Sequence, residues 1–549
     1  MSDEPRAERW TRVEAFGLLA VLTLGLALRM RHLDTLLPWF IYEDEVRITG
    51  VTLQLLRDWT INPHHTFYPA LPFYLNAVAY WLWAAPGQLG AILRHGPSAV
   101  APFFAGLADT DPRLIMISRW VSLLFGMGAL LCSHLLFRQY LRFRFALFAT
   151  LLLALNPVAV SMSNLAKADA IYLFWFAAVY YTAVKYFHRG GYPWLLAAAA
   201  CAGFGIVTKN NYFISIFLTI IFLARNLRLY PRVIGILRSP QLWAMFLTMG
   251  LFAFIGSPYS FIHFQETMTT AGWLYVQSEI ISTYHTDPHA WWLDRYSYLF
   301  SIVLPFVLGL PLFWLGVAGA VHNFRKYALR DPCVFYLLIL YLYIFASNSG
   351  GPRGGAFAYY LFLITVPLAI LVAVDLLSDL QRSPRRSRRA LAYAFSLIIL
   401  ASSLAGVDSF HNMFFAPYDR LGPWLRLNLP GDARTLMVSV YKPGPGLAGL
   451  AVKSVWPHEF NPELIESYDP DNLVFDSWAV AGFRKVYREL PVTPLVDSFL
   501  DGKRGYHKIW ELPADYFGRG YFAALDPEHD VDLTVLCGPR PQTGTTETR

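Results

Sequence analysis

Residues 13–30 read VEAFGLLAVLTLGLALRM, an apolar run of the length a helix needs to cross the hydrocarbon core of a bilayer. A mixed-charge leader precedes it and no small-residue cleavage site follows, which marks an uncleaved anchor rather than a signal peptide. Just beyond comes Tyr42-Glu43-Asp44-Glu45, and further on His64-His65-Thr66-Phe67-Tyr68-Pro69-Ala70-Leu71-Pro72 leads into another apolar stretch. Acids beside a span are costly to desolvate and often mark function, here chemistry on a lipid-borne substrate. A solvated loop acid is the alternative.

Composition sets the class. The 549 residues are 55% hydrophobic, 16% aromatic and only 15% charged, with a mean hydropathy of +0.38, which describes a polytopic membrane protein. A net charge of +7 would hint at nucleic acid in a soluble chain. Here the basic residues fall in short clusters between apolar runs, the positive-inside signature, which argues against a nucleic-acid partner. Cys132, Cys201, Cys333 and Cys537 lack metal-ligand spacing and give neither a zinc site nor a disulfide framework.

Candidate spans lie near 13–30, 115–137, 145–163, 170–187, 194–208, 211–224, 242–257, 298–321, 333–347, 357–380 and 390–409, about 11 in all by the length criterion. Five basic clusters orient them toward the cytoplasm: Arg138, Arg142 and Arg144; Lys185 and Arg189; Arg225, Arg228, Arg232 and Arg238; Arg325, Lys326 and Arg330; and Arg382 to Arg389, which is also the one low-complexity stretch. Adjacent clusters must be separated by an even number of crossings, and each consecutive pair is. The stretch 68–86 therefore cannot cross alone. It either lies along the outer surface as a helix, which its Tyr74, Tyr80, Trp81 and Trp83 favour, or pairs with 98–107 as an inward-and-back excursion.

The same bookkeeping puts Asp44, Glu45, His64, His65, Lys167, Asp169, Lys209 to Asn211, the loop 258–297 and Gly350 to Arg353 on the outer face. It also puts everything after about Asp408 there. That tail carries turn signals and short β-like runs at 436–440, 472–475, 507–510 and 533–536, enough for a small extracytoplasmic α/β domain with its own core. The expected fold is thus mainly α: a polytopic helical bundle over 1–410 and an α/β domain over 411–549. No internal repeat is visible.

Transfer chemistry at such a surface needs a base, a means of holding an anionic leaving group, and a dry pocket for a lipid tail. Asp44 or Glu45 can take a proton from an acceptor hydroxyl, and partial desolvation raises carboxylate basicity. Asp169, a second carboxylate at the start of a span with Lys167 two residues before it, is a candidate ligand for a divalent cation (Mg, Mn or Zn), with His285 as a further ligand. Lys209, Arg353 and His65 are the candidates for holding a donor phosphate. Each has a plainer reading: a snorkelling turn residue for Lys209, a solvated loop residue for Arg353, and hydrogen-bonded or solvated rings for His263, His285 and His289. Trp291-Trp292 reads as an interfacial anchor.

An uncleaved first span and an outer Asp-Glu, then Tyr68-Pro69-Ala70-Leu71-Pro72-Phe73-Tyr74-Leu75, Asn156-Pro157, Ser161 to Asp169 and Gly203 to Lys209, resemble in their order the membrane glycosyltransferases of the C-type fold. Within these the chain is most similar to the protein O-mannosyltransferase and lipid A aminoarabinose transferase relatives, over about the first 410 residues. The resemblance implies an inverting enzyme that passes a sugar from a polyprenyl-phosphate carrier to an acceptor hydroxyl on a protein, lipid or glycan at the outer membrane face. It also implies Asp44 as the first-loop acid, Asp169 as the second acidic position and Lys209 as the phosphate-binding lysine. Two departures stand out. Relatives often carry Arg-Tyr before a proline in a late span, where this chain has Phe357-Ala358-Tyr359-Tyr360 ahead of Pro367, leaving Arg353 as a substitute. The Trp-Trp-Asp motif of oligosaccharyltransferase catalytic subunits is absent. The competing class is a transporter or flippase of a lipid-linked saccharide, which places its site at broken helices near the midplane.

Overall fold

The structure is a computed structural model that describes residues 11–63, 69–209, 213–227, 233–264, 307–327, 363–408, 411, 415–439, 441–455, 459–476, 492–501, 507–512 and 533–537. It is mostly helical, as expected. The chain divides into two compact units: Met1–Leu33 with Arg47–Asp109 and Arg113–Val407, and Asp34–Val46 with Thr110–Pro112 and Asp408–Arg549. The second unit thus takes in the first-loop segment as well as the tail.

The first unit is a helical bundle. Helix α1 (Arg12–Met30) starts at a capping box, with Thr11 Oγ1 accepting from Glu14 N at 3.2 Å and Glu14 Oε2 accepting from Thr11 N at 3.0 Å. There follow α2 (Glu43–Arg57), α3 (Leu71–Ala84), α4 (Pro112–Tyr140), α5 (Phe143–Ala154), α6 (Pro157–Asn164), α7 (Ala168–Arg189), α8 (Tyr192–Ile206), α9 (Phe213–Asn226), α10 (Pro240–Gly256), α11 (Leu310–Tyr327), α12 (Val366–Arg382) and α13 (Arg386–Gly406). Among the described residues five helices are long and apolar enough to cross a membrane: α1, α4, α7, α12 with the turn that precedes it, and α13. The candidate spans near 194–208, 211–224 and 242–257 are the shorter apolar helices α8, α9 and α10. The candidate at 333–347 lies outside the described residues, as does part of 298–321.

The expected continuous span 145–163 is broken. Helices α5 and α6 meet at 57° across Leu155-Asn156. Pro157 has no N–H to donate back and disfavours helix at the residue before it. Asn156 fits the break: its Oδ1 caps α6 by accepting from Ala159 N at 2.9 Å, and its Nδ2 donates to the Val307 carbonyl at 2.6 Å.

In the second unit a five-stranded sheet runs in the order β4–β2–β5–β7–β6. Strands β2 (Thr435–Val438), β4 (Val452–Val455) and β5 (Asn472–Asp476) are parallel, whereas β7 (Leu533–Cys537) runs antiparallel to β5 and to β6 (His507–Leu512). Leu436, Val438, Leu473 and Phe475 form its core with Val496 and Phe499 of the helix Val492–Leu500. A separate two-stranded sheet pairs β1 (Phe40–Tyr42) with β3 (Tyr441–Pro443).

The helix ends of the first unit sort by charge. At one end the Tyr186 hydroxyl donates to Gln241 Oε1 at 3.1 Å and accepts from Asn226 Nδ2 at 3.0 Å, which gathers the ends of α7, α9 and α10 beside Lys185, Arg189, Arg225 and Arg238. Arg138 at the end of α4 pairs there with Glu14 of α1 at 3.9 Å. At the opposite end Leu71, Val207 and Ala253 pack together, close to where Asp169 opens α7. The rise of 1.5 Å per residue puts Asp169 and Arg189 about 30 Å apart, the thickness of a hydrocarbon core. Helix α3 meets the acidic end twice, through Leu71 and through the Tyr80 hydroxyl 2.6 Å from Ser118 Oγ in the opening turns of α4. At 14 residues it is no longer than α9, and these contacts pack it against that end of the bundle. We expect single cysteines at the exposed positions Tyr192 and Ile262, in a chain otherwise lacking cysteine, to react with an impermeant maleimide from opposite sides of sealed vesicles. Labelling of both from one side would mean that α8, α9 and α10 do not make an odd number of crossings.

Candidate active site

The structure brings together three of the residues expected on the outer face. Asp169 lies in the first turn of α7, where the helix dipole favours an anion. Its Oδ1 accepts from Lys209 Nζ at 2.5 Å and its Oδ2 stands 3.9 Å from Lys167 Nζ. Asp169 and Lys167 are only 3% and 4% exposed, and the Lys209 side chain is 22% exposed. Two ammonium groups therefore flank one carboxylate in a nearly dry setting, and within these three side chains one positive charge is in excess. Such an arrangement suits an anion that can approach from the Lys209 side.

Local structure explains how the three meet. After α6 the chain leaves the helix, with Leu165 and Lys167 extended. Ser122 of α4 donates to the Lys167 carbonyl at 3.2 Å and pins that turn. Lys209 follows the end of α8, where Thr208 Oγ1 bonds back to the Phe204 carbonyl at 2.8 Å. Leu71 N donates to the Val207 carbonyl at 3.3 Å, so the start of α3 joins the same wall. Lys167 is the residue whose role the sequence left unassigned; its position two residues before an acid that opens a helix was the available signal. Ser122 gave none.

Asp44 and Glu45 occupy the first turn of α2. They differ in burial: Glu45 is 0% exposed, whereas Asp44 is half-buried. Asp44 belongs to the second unit and the lysine–aspartate trio to the first. His65, His285, Arg353, His289 and Trp291-Trp292 lie outside the described residues; His263 stacks on Tyr259 with ring centroids 4.5 Å apart.

The donor set described at Asp169 does not fit the divalent cation expected there. Both of its oxygens face ammonium groups, which neutralise the carboxylate and repel a further cation. Among the described residues no group of three His, Cys, Asp or Glu is placed to share a metal.

Residues 113–257, which hold Ser122, Lys167, Asp169 and Lys209, match the family model described as dolichyl-phosphate-mannose-protein mannosyltransferase. Over nearly its whole length the chain also superimposes on ArnT from Cupriavidus metallidurans, solved bound to undecaprenyl phosphate, at a TM-score of 0.50 and 12% identity, covering 94% of this chain and 97% of that one. The archaeal oligosaccharyltransferase AglB from Archaeoglobus fulgidus, solved with an inhibitory peptide and a dolichol-phosphate, is similar at a TM-score of 0.46 and 15% identity, over 93% of this chain and 74% of that one. Comparison with curated proteins gives no match. The resemblance to the membrane glycosyltransferases of the C-type fold is borne out, and the chain is an integral membrane protein of that architecture. At these identities the likeness to the solved structures is one of fold.

Replacing Asp169 by Asn leaves Lys167 and Lys209 facing each other without their carboxylate. Breaking a buried pair costs about 3–5 kcal/mol, and the partial exposure of Lys209 puts this one at the lower end. We expect Asp169→Asn to lower the thermal midpoint in detergent by several degrees, and the double variant Asp169→Asn/Lys167→Met to recover part of the loss. An unchanged midpoint in the single variant would contradict the pairing.

Proposed function

We propose that this protein is an inverting glycosyltransferase that moves a sugar from a polyprenyl-phosphate-linked donor to an acceptor hydroxyl at the outer face of the membrane. The observation that carries the reading is the Lys167–Asp169–Lys209 trio: a nearly buried cluster with net positive charge, at the end of the bundle opposite the basic clusters, inside the stretch that matches the mannosyltransferase family model. ArnT from Cupriavidus metallidurans was solved bound to undecaprenyl phosphate, a carrier of that chemical class.

The chemistry follows from charge. A sugar phosphodiester carries one negative charge, and when the bond from the anomeric carbon to the phosphate oxygen breaks, the electron pair stays on that oxygen and the phosphate gains a second. Lys209, with Lys167 behind it, holds the phosphate while this charge develops, an interaction that strengthens toward the transition state. The acceptor oxygen forms its bond to the anomeric carbon, with inversion, and gives up its proton to a general base, the role we assign to Asp44. The half-buried Asp44 suits that exchange with an incoming hydroxyl, whereas the fully buried Glu45 suits a positioning role. Arg353 and His65 remain candidates for holding the donor phosphate on sequence grounds, and the 411–549 segment is read as an extracytoplasmic domain. No step is routed through a metal, because the lysines supply the positive charge for which a cation was expected.

A second reading, a flippase for a lipid-linked saccharide, draws on the 57° break between α5 and α6. Incubating the purified protein with radiolabelled polyprenyl-phosphate sugars and candidate acceptors separates the two, since release of polyprenyl phosphate with inverted product occurs only in an enzyme.

Two expectations follow from the roles assigned. Asp44→Asn keeps shape but loses proton acceptance, so turnover should fall ~10² to 10⁴-fold while donor binding survives, and Glu45→Gln should cost less; near-normal turnover by Asp44→Asn would move the base elsewhere. Undecaprenyl phosphate binding should weaken in Lys209→Ala and at high salt, yet be the same with and without chelator. Loss of that binding in chelator would restore the metal at this cluster.

A further inference from the structure

The first loop is built into the C-terminal segment. Residues Asp34–Val46 form one compact unit with Asp408–Arg549, and the contacts run residue by residue up to the acid. Leu36 has the left-handed backbone angle φ 70°, and its N–H donates to Asp419 Oδ1 at 2.7 Å. A non-glycine residue persists there only where its surroundings over-determine it. The carbonyls of Pro38 and Trp39 accept from Gly446 N at 2.8 Å and Gly444 N at 2.7 Å. Strand β1 then pairs with β3 in a fixed antiparallel register, Phe40 with Pro443, Ile41 with Lys442 and Tyr42 with Tyr441. Trp39 lies against Gly422 and Gly446: a Cβ at 422 would overlap the tryptophan side chain, and one at 446 would stand 2.8 Å from its ring. Glu43, the next residue, has its carboxylate 3.9 Å from Lys442 Nζ.

Helix α2 begins at Glu43 with no linker after Tyr42. A one-residue slip in a strand pair turns every side chain to the other face, so the β1–β3 register sets the direction in which the following helical turn projects Asp44.

We propose that the C-terminal segment positions the first-loop acid, through the pairing of Phe40–Tyr42 with Tyr441–Pro443 and the glycine cradle around Trp39. This rests on the reading of Asp44 as general base. Trp39, Gly422, Gly444 and Lys442 are positioning residues in this scheme; none of them touches substrate. A misplacement of about 1 Å at a catalytic group costs on the order of 10²-fold in rate, so loosening the clamp is felt in turnover and not in the hold on the carrier.

The test uses the full-length protein with Gly422→Val, whose side chain displaces Trp39, and Gly446→Ala, whose Cβ stands 2.8 Å from the Trp39 ring, a smaller overlap that serves if the first variant does not fold. Three readouts are taken: transfer from a radiolabelled polyprenyl-phosphate sugar, binding of undecaprenyl phosphate, and backbone amide exchange over residues 40–46. We expect transfer to fall roughly 10- to 100-fold, carrier binding to change less than twofold, exchange over 40–46 to rise, and no further loss when the change is added to Asp44→Asn. Full transfer in a variant whose 40–46 amides exchange faster overturns the proposal, and so does a loss that multiplies with that of Asp44→Asn. Should Asp44→Asn itself turn over normally, the base reading fails by that result, while the exchange measurement still reads the clamp on its own.

Discussion

One buried guanidinium holds the bundle in the shape that the site needs. Arg29, near the end of α1, is 2% exposed; its Nη1 donates to the carbonyls of Gly25 at 3.0 Å and Ala154 at 3.4 Å, and its Nε donates to Ser163 Oγ at 3.3 Å. The Ala154 carbonyl lies at the end of α5 and Ser163 lies in α6, so the cation spans the break in the chain. A kink inside a membrane protein frees carbonyls that lipid cannot satisfy, and an arginine, with five donors and a permanent charge, can serve several at once. Gly126 of α4 makes the approach possible, because a Cβ there would overlap Ser163. With the break fixed, α7 starts where it does, and Asp169 with it.

How far the sequence could be read depended on the range of each interaction. The class was legible because apolar runs and basic clusters are local signals, and counting crossings said of the stretch 68–86 only that it cannot cross alone. The break was not legible from hydropathy, although Asn156-Pro157 was visible as a motif. An average over a span-length window hides a single missing N–H, and whether a proline kinks or ends a helix depends on the carbonyls that surround it. The meeting of Asp169 with Lys209 was out of reach for another reason. Both residues were placed on one face, but two opposite charges on a face can serve separate ligands, and only the packing of α7 on α8 shows that they satisfy each other.

The first loop is the clearest case of distance defeating pattern. Phe40–Tyr42 is too short to stand out as a strand, and its partner Tyr441–Pro443 lies close to the other end of the chain. The aromatic chain from Phe40 to Tyr418 and on to Tyr441 and Tyr42, with centroids 5.5, 4.1 and 5.6 Å apart, is likewise a tertiary fact. Cutting the chain at residue 410 is natural for a reader of composition, yet it separates a strand from its only described partner.

If the trio holds the donor phosphate as proposed, its charge balance bears on turnover as much as on binding. Two lysines without Asp169 would present two positive charges in a dry setting, and would grip the doubly charged carrier phosphate after transfer as well as during it. Binding that is equally strong in product and transition state adds nothing to the rate and slows release. The carboxylate holds both ammonium groups in place and reduces their combined charge, so that the extra attraction appears as the leaving oxygen gains its charge and weakens again when Asp169 reclaims Lys209. On the proposed function, Asp169 would be the counterion that lets the same lysines capture the donor and release the spent carrier.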